Sequence, residues 1–265
     1  MSADDVAFLV RSPNRAAVLA ALAEASATRA ELRERVGASR VTVGRITSDL
    51  DARGWVEQTD GGYRATRAGR AVSGAYEQFR DTVEMTRRLD PLLSYLPVEA
   101  FDFDLTVLAN AELVVPDATD PSRHFRRLRD LFADARDVTM IVHAVEPEIV
   151  AAHESAAQAG DHHTEGVVTS DLVAAMRADA TVRNRIARVV EVGGLALSER
   201  PSVPFQAARF DDLVAISADD ESGVPRGIVL SDAPVVGKWL QSEFERLSAD
   251  ATPLSADAFR DGTGG

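Results

Sequence analysis

The 265-residue chain contains no cysteine, which removes disulfides, thiolate metal sites and a cysteine nucleophile. No stretch approaches the roughly 18 consecutive apolar residues that a membrane helix needs. The N-terminus lacks a basic segment followed by an apolar core. A cytoplasmic protein with no membrane partner is therefore expected. Phosphate-loop, Gly-x-Gly-x-x-Gly and Gly-x-Ser-x-Gly spacings are all missing, so no cofactor and no catalytic residue is expected. Lysine is almost absent: of 29 basic residues, Lys238 alone is not arginine.

What is present is ordinary for a globular protein, with 45% hydrophobic and 27% charged residues, and the length suits two domains. The net charge is −13. A strongly acidic, lysine-poor surface stays soluble where salt screens an ordinary one, so the composition reads as a high-salt cytoplasm. The charge is unevenly placed. Residues 1–75 hold 11 basic against 9 acidic residues, whereas 76–265 hold 18 against 33. A near-neutral, arginine-bearing end on an acidic chain points to a polyanionic partner there.

Local signals divide residues 1–70 into helices and a hairpin. Ser12-Pro13 is a helix start, with Ser12 expected to cap and proline at the first position. Thr28 and Glu31 have capping-box spacing, and Gly37 is placed to end that short helix. Ser39 is expected to cap a third helix to about Arg53, with Val43, Ile46 and Leu50 as its buried stripe. Trp55–Thr59 and Tyr63–Thr66 read as strands joined through Asp60-Gly61-Gly62. Three helices and a hairpin form a winged helix-turn-helix. The run Ala38–Ile46, then Leu50, Gly54-Trp55-Val56 and Gly62–Gly69, resembles the winged helix of prokaryotic transcription regulators.

The resemblance implies double-stranded DNA as partner. With the stripe buried, Arg40, Thr42, Gly44, Arg45 and Ser48 lie on or beside the opposite face of the third helix, following its cap Ser39. Arginine can read guanine with its fork, and threonine can meet base or phosphate. Gly44 permits close backbone approach. Arg64 on the wing, beside Tyr63, with Arg67 and Arg29, is placed to hold phosphates.

Residues 71–97 are expected to connect and dimerise: a helix from Thr66 to about Leu89, ended by Pro91 and Pro97, with Val72, Ala75/Tyr76, Phe79, Val83 and Thr86 at helical spacing. A homodimer is expected, since paired half-sites mirror two-fold symmetry. Residues 98–250 alternate strand and helix signals, which makes the chain α/β overall, with an all-α plus β-hairpin head. Strands are expected at Leu105–Leu108, Glu112–Val115, Asp137–His143, Glu165–Thr169, from Val189, at Leu195–Leu197, Phe205–Phe210, Leu213–Ser217 and Gly227–Ser231. Helices are expected at His124–Asp134, Glu146–Ala159, Asp171–Arg177 (capped by Ser170) and Ala233–Leu247. Residues 251–265 read as a flexible tail.

Residues 100–250 resemble the sensor domain of the archaeal methanogenesis and filament regulators, through Asp137–His143, Gly166–Thr169 with Asp171-Leu172-Val173, Gly227–Asp232, and Lys238-Trp239 with Glu243-Phe244. The resemblance implies an effector-binding or assembly domain. A distant similarity to phospholipase-D-like regulator domains brings no chemistry, because their His-x-Lys-x4-Asp motif needs a histidine two positions before lysine, where Lys238 has Val236. His143, at the end of a buried strand beside Glu146, is the candidate effector site, since sheets of this type bind ligands at strand ends. Asp161-His162-His163 with His153 fits no metal-ligand spacing, so no metal is expected. Two other readings stay open: a winged-helix protein-interaction module, and an enzyme carried to its target by the helix-turn-helix.

Overall fold

A short helix that the sequence reading lacked, α1 (Ala3–Val10), opens the chain; Asp4 and Asp5 favour its positive end while Phe8 and Leu9 bury. The computed structural model describes residues 3–160 and 162–259. The helix α2 (Pro13–Glu24) starts with proline in its first turn, but the Ser12 side chain makes no cap bond. Its carbonyl instead accepts from the amides of Arg15 and Ala16. Thr28 and Glu31 complete the capping box of α3 (Arg29–Val36), and Gly37 closes it in a left-handed conformation. The Ser39 Oγ accepts the Thr42 amide to begin α4 (Arg40–Asp51), which buries Val43, Ile46, Thr47 and Leu50.

The wing pairs β1 (Val56–Thr59) with β2 (Gly62–Ala65) antiparallel, and Ala27 bridges Tyr63 as a one-residue third strand. A close approach locks the wing to the next helix. A Cβ at Gly69 would stand 1.8 Å from the Trp55 carbonyl oxygen, so only glycine fits there.

The long helix α5 spans Arg67–Leu93 and carries Pro91 inside it. The expected stop at Pro91 is corrected: proline's fixed φ is helical, and Leu92 just beyond is fully buried. The chain divides at Glu84/Met85 into two units, and that boundary falls within α5. Val72 and Tyr76 pack on the N-terminal core, while Met85, Leu89 and Leu92 belong to a core of the second unit. Phe79, at the same helical spacing, is 57% exposed.

The second unit is built on one eight-stranded sheet. Its strands are β3 (Glu112–Val114), β4 (Asp137–Val142), β5 (His163–Thr169), β6 (Leu195–Arg200), β7 (Ala207–Phe210), β8 (Leu213–Asp219), β9 (Pro225–Ser231) and β10 (Thr252–Leu254). They lie in the order β10-β6-β5-β4-β7-β8-β9-β3, with β4-β5-β6 parallel and every other pair antiparallel. Alternation along β4 sends Val138 and Met140 to one core and Ile141 to the other, the period-2 pattern of a strand buried on both faces. One face is covered by α6 (Arg123–Asp134), α7 (Pro147–Ala159), α8 (Ser170–Ala178) and α9 (Ala180–Glu191). On the other lies α10 (Pro234–Ser248), whose Trp239 packs among Phe101, Phe103 and Phe205.

Four local expectations are corrected. Leu105–Asn110 is a 3-10 helix, because Asp104 holds the Thr106 amide in a turn. The segment from Val189 closes α9, where Val182, Ile186 and Val189 share a buried face and Asp179 caps. Thr169, not Ser170, caps α8. The segment 252–259, expected to be flexible, forms β10 on β6 and a 3-10 helix that buries Phe259; the rest of that tail lies outside the described residues, as does Asp161.

Candidate nucleic-acid interface

The outward face of α4 follows from its inward one. With Val43, Ile46, Thr47 and Leu50 buried, positions 41, 44, 45 and 48 line up on the far side at i, i+3, i+4 and i+7 spacing. Arg40 and Arg45 are exposed, and among the described residues neither guanidinium is placed in a salt bridge or a side-chain hydrogen bond. Other arginines among the described residues, including Arg53, Arg185 and Arg188, do pair with carboxylates. Gly44 sits between the two, and a Cβ there would meet nothing within 4 Å.

The remaining candidates divide. The Ser39 and Thr42 side chains bond each other at 2.9 Å, and Ser39 also accepts the Thr42 amide at 3.1 Å, so both are committed to holding the helix start. The Ser48 hydroxyl donates back to the Gly44 carbonyl at 3.0 Å. On the wing, Arg64 stands opposite Glu57 and pairs with it at 2.6 Å. Arg67, the first residue of α5, is exposed. Arg29 lies over the Tyr63 ring at 5.1 Å. Tyr63 itself is a correction: its ring is buried in the winged-helix core, because the bridge to Ala27 turns it inward.

Val41 was missed. It is 82% exposed on the same face as Arg45 and Ser48, where an apolar side chain can meet a thymine methyl. The signal was available in the sequence, since Val41 is an apolar residue out of phase with the Val43–Ile46–Leu50 stripe.

In the second unit His143 and Glu146 are not brought to one site. The His143 ring faces Asp219, Nε2 to Oδ2 at 3.3 Å. The Gln206 side chain ties this corner together: its oxygen accepts the His143 and Ala144 amides, and its nitrogen donates to Asp219. His143 thereby lines an open groove with Tyr95 and Asp220. Glu146 stands instead at the rim of a separate apolar cavity. The His162 Nδ1 donates to Ala135 O and its Nε2 is hydrogen-bonded to Thr164 Oγ1, while the ring packs against the buried His153 ring at 4.7 Å. Burial, then the neighbouring His162, pushes His153 down to about 4. His163 is exposed beside Glu165.

A winged helix followed by a mixed-sheet α/β unit is the build of a two-domain transcription regulator. Residues 3–88 match the family model described as the HVO_A0261 N-terminal domain, and residues 121–250 match that of the middle domain of the methanogenesis regulatory protein FilR1. The chain belongs to the archaeal transcription regulators that join these two domains. Among solved structures it is similar to TrmBL2, described as an archaeal chromatin protein with a novel mode of DNA binding, at 14% identity and TM-score 0.44 over 96% of this chain and 100% of that one. It is also similar to Nuc, a phospholipase D family member from Salmonella typhimurium, at 10% identity and TM-score 0.42 over 55% of this chain and 97% of that one. NucT from Helicobacter pylori follows, at 12% identity and TM-score 0.41 over 54% and 98%. No curated protein matches the sequence. Among the described residues no single helix is long and apolar enough to cross a membrane.

Proposed function

We propose that this chain is a cytoplasmic, sequence-specific DNA-binding regulator, not an enzyme, that reads promoter DNA with α4 and whose second unit adjusts operator affinity. The observation that carries the reading is the outward face of α4, the helix that follows the Gly37 turn ahead of the wing, where Arg40 and Arg45 are exposed without a carboxylate partner among the described residues. A guanidinium left free in a protein of net charge −13 is available to an anion from outside. On a helix of this position the natural fit is the major groove, with the first turns against base edges and Gly44 allowing the backbone close. Arg67 and Arg29 then serve phosphates, and Arg64 does so by sharing its charge with Glu57.

A homodimer fits the same reading. The exposed apolar residues Val6, Val10 and Phe79 border a groove between α1 and α5 that is lined by Leu9, Val72 and Tyr76, and a second copy would cover it. An effector would act by binding the second unit differently in the free and DNA-bound states, a coupling typically of about 1–3 kcal/mol.

The test is genome-wide chromatin immunoprecipitation at native salt, comparing wild type with the Arg40→Ala/Arg45→Ala double variant. Sharp promoter peaks that vanish in the variant are expected. Peaks that persist in it would remove recognition from α4, and an absence of peaks in wild type would favour a protein-interaction module.

A further inference from the structure

We propose that the second unit binds a small, neutral, largely apolar molecule carrying one hydroxyl group, in the cavity between α6, α7 and the sheet. The cavity holds about 110 Å³. Its walls are Phe132 from α6, Met140 and Val142 from β4, Ile149 from α7, Ala208 from β7 and Ile228 from β9. It is smaller than the roughly 150 Å³ of a dry engineered cavity that takes benzene but opens to solvent past Ala144 and Glu146, so it suits at most one small ring or a short chain. Ala144 and Glu146, both exposed, line its mouth.

Gln206 and Ser217 also line the cavity but are hydrogen-bonded to their neighbours; the buried polar side chain left over is His124, and it points to a ligand. The side chain is 3% exposed, lines the cavity, and neither ring nitrogen has a hydrogen-bond partner among the described residues. Native proteins leave few buried polar groups unpaired, and each asks for an explanation. Here two nitrogens of one ring are unpaired together, against an apolar space of molecular size.

The chemistry of the ligand follows from the ring. Burial pushes the His124 pKa below its ordinary value, with Asp120 and Asp219 opposing. The ring is therefore a neutral imidazole at neutral pH, with one nitrogen donating and the other accepting. A hydroxyl group can do the reverse on either side. A carboxylate or phosphate is disfavoured, since no lysine or arginine lines the cavity and Glu146 stands at its mouth. A cation would lose its hydration to apolar walls. What remains is a neutral phenol-like or alcohol-like molecule. The assignment rests on the effector-responsive reading of this unit for its consequence, though not for the binding itself.

The test is calorimetric titration of the full chain, without DNA, with phenol and with toluene, which has the same shape but no hydroxyl. Wild type is expected to bind phenol about fivefold more tightly than toluene, the preference one neutral hydrogen bond gives. His124→Leu should keep toluene binding and lose that preference. Ala208→Val, which fills the cavity from β7, should weaken both probes at least tenfold. Failure of either probe to bind wild type in the millimolar range overturns the site. So does a phenol preference that survives His124→Leu, or binding that Ala208→Val leaves unchanged. DNA affinity, measured separately without probe, tells failure of this site from failure of the regulator reading.

Discussion

The sharpest test of the α4 assignment is Gly44→Ala, because stability and DNA affinity should move in opposite directions. Glycine inside a helix is less favourable than alanine by about 0.8–1 kcal/mol. An added Cβ at position 44 meets nothing within 4 Å, so nothing inside the protein opposes that gain. In a unit of this size about 1 kcal/mol raises Tm by roughly 4–8 °C. At the proposed interface the same methyl projects about 1.5 Å from Cα, between Arg40, Arg45 and Ser48. Hydrogen bonds that work at about 2.7–3.2 Å do not survive a standoff of that order. Losing one bidentate arginine–guanine contact removes about 1–3 kcal/mol, so operator affinity should fall roughly tenfold to a hundredfold. Thermal melting of the full chain and fluorescence anisotropy on a duplex from a promoter peak read the two effects. A higher Tm with unchanged affinity would show that DNA does not approach the backbone at position 44. A lower Tm would refute the helix argument itself.

Three further outcomes are expected. Gly69→Ala places a methyl 1.8 Å from the Trp55 carbonyl oxygen, backbone against backbone, and should destabilise by about 3 kcal/mol, at the high end of overpacking; a melt within error of wild type would contradict it. His153, held down to about 4 from 6.5, contributes stability that is fully present above pH 6.5 and is lost as pH falls through 4. Acidification should therefore cost up to about 3 kcal/mol that His153→Leu does not lose, and parallel pH–melting curves for the two proteins would refute this. Phe79→Glu puts a charge into the exposed apolar patch with Val6 and Val10 and should convert the proposed dimer to monomer in analytical ultracentrifugation; a monomeric wild type, or a variant of unchanged dimeric mass, would refute a dimer contact on this patch.

The features legible in the sequence are those whose cause lies within a few residues. The capping box of Thr28 and Glu31, the Ser39 cap, the Gly37 stop and the stripe of α4 are each set by neighbours on the same turn, and the structure contains all of them. The failures came where the partner is distant, or where one local cause beat another. Leu105-Thr106-Val107-Leu108 has strand-forming side chains, but the Asp104 carboxylate bonding the Thr106 amide and hydroxyl fixes a turn. The valines near 189 suggested a strand until counted with Val182 and Ile186, which share one helical face. Leu254 becomes a strand residue only because Leu197 lies opposite it, and Tyr63 turns inward only because Ala27 bridges it. His124 carries no signal at all in the sequence. Its isolation is a property of the cavity that α6 makes with the sheet.

Charge placement sets how such an interface must work. Each phosphate that an arginine neutralises contributes a salt dependence of about 0.9 in log–log slope, so an interface built from phosphate contacts weakens steeply as salt rises. The wing is poorly suited to that task, because Arg64 already faces the Glu57 carboxylate at 2.6 Å, which offsets its charge before DNA arrives. Arg29 is drawn over the Tyr63 ring. Arg40 and Arg45 of α4 have no such partner among the described residues and stand beside an exposed Val41 and a glycine, where contacts to base edges need close fit more than long-range attraction. In a chain whose composition fits concentrated salt, the proposed DNA affinity thus depends mainly on the face of one twelve-residue helix, with the wing contributing orientation.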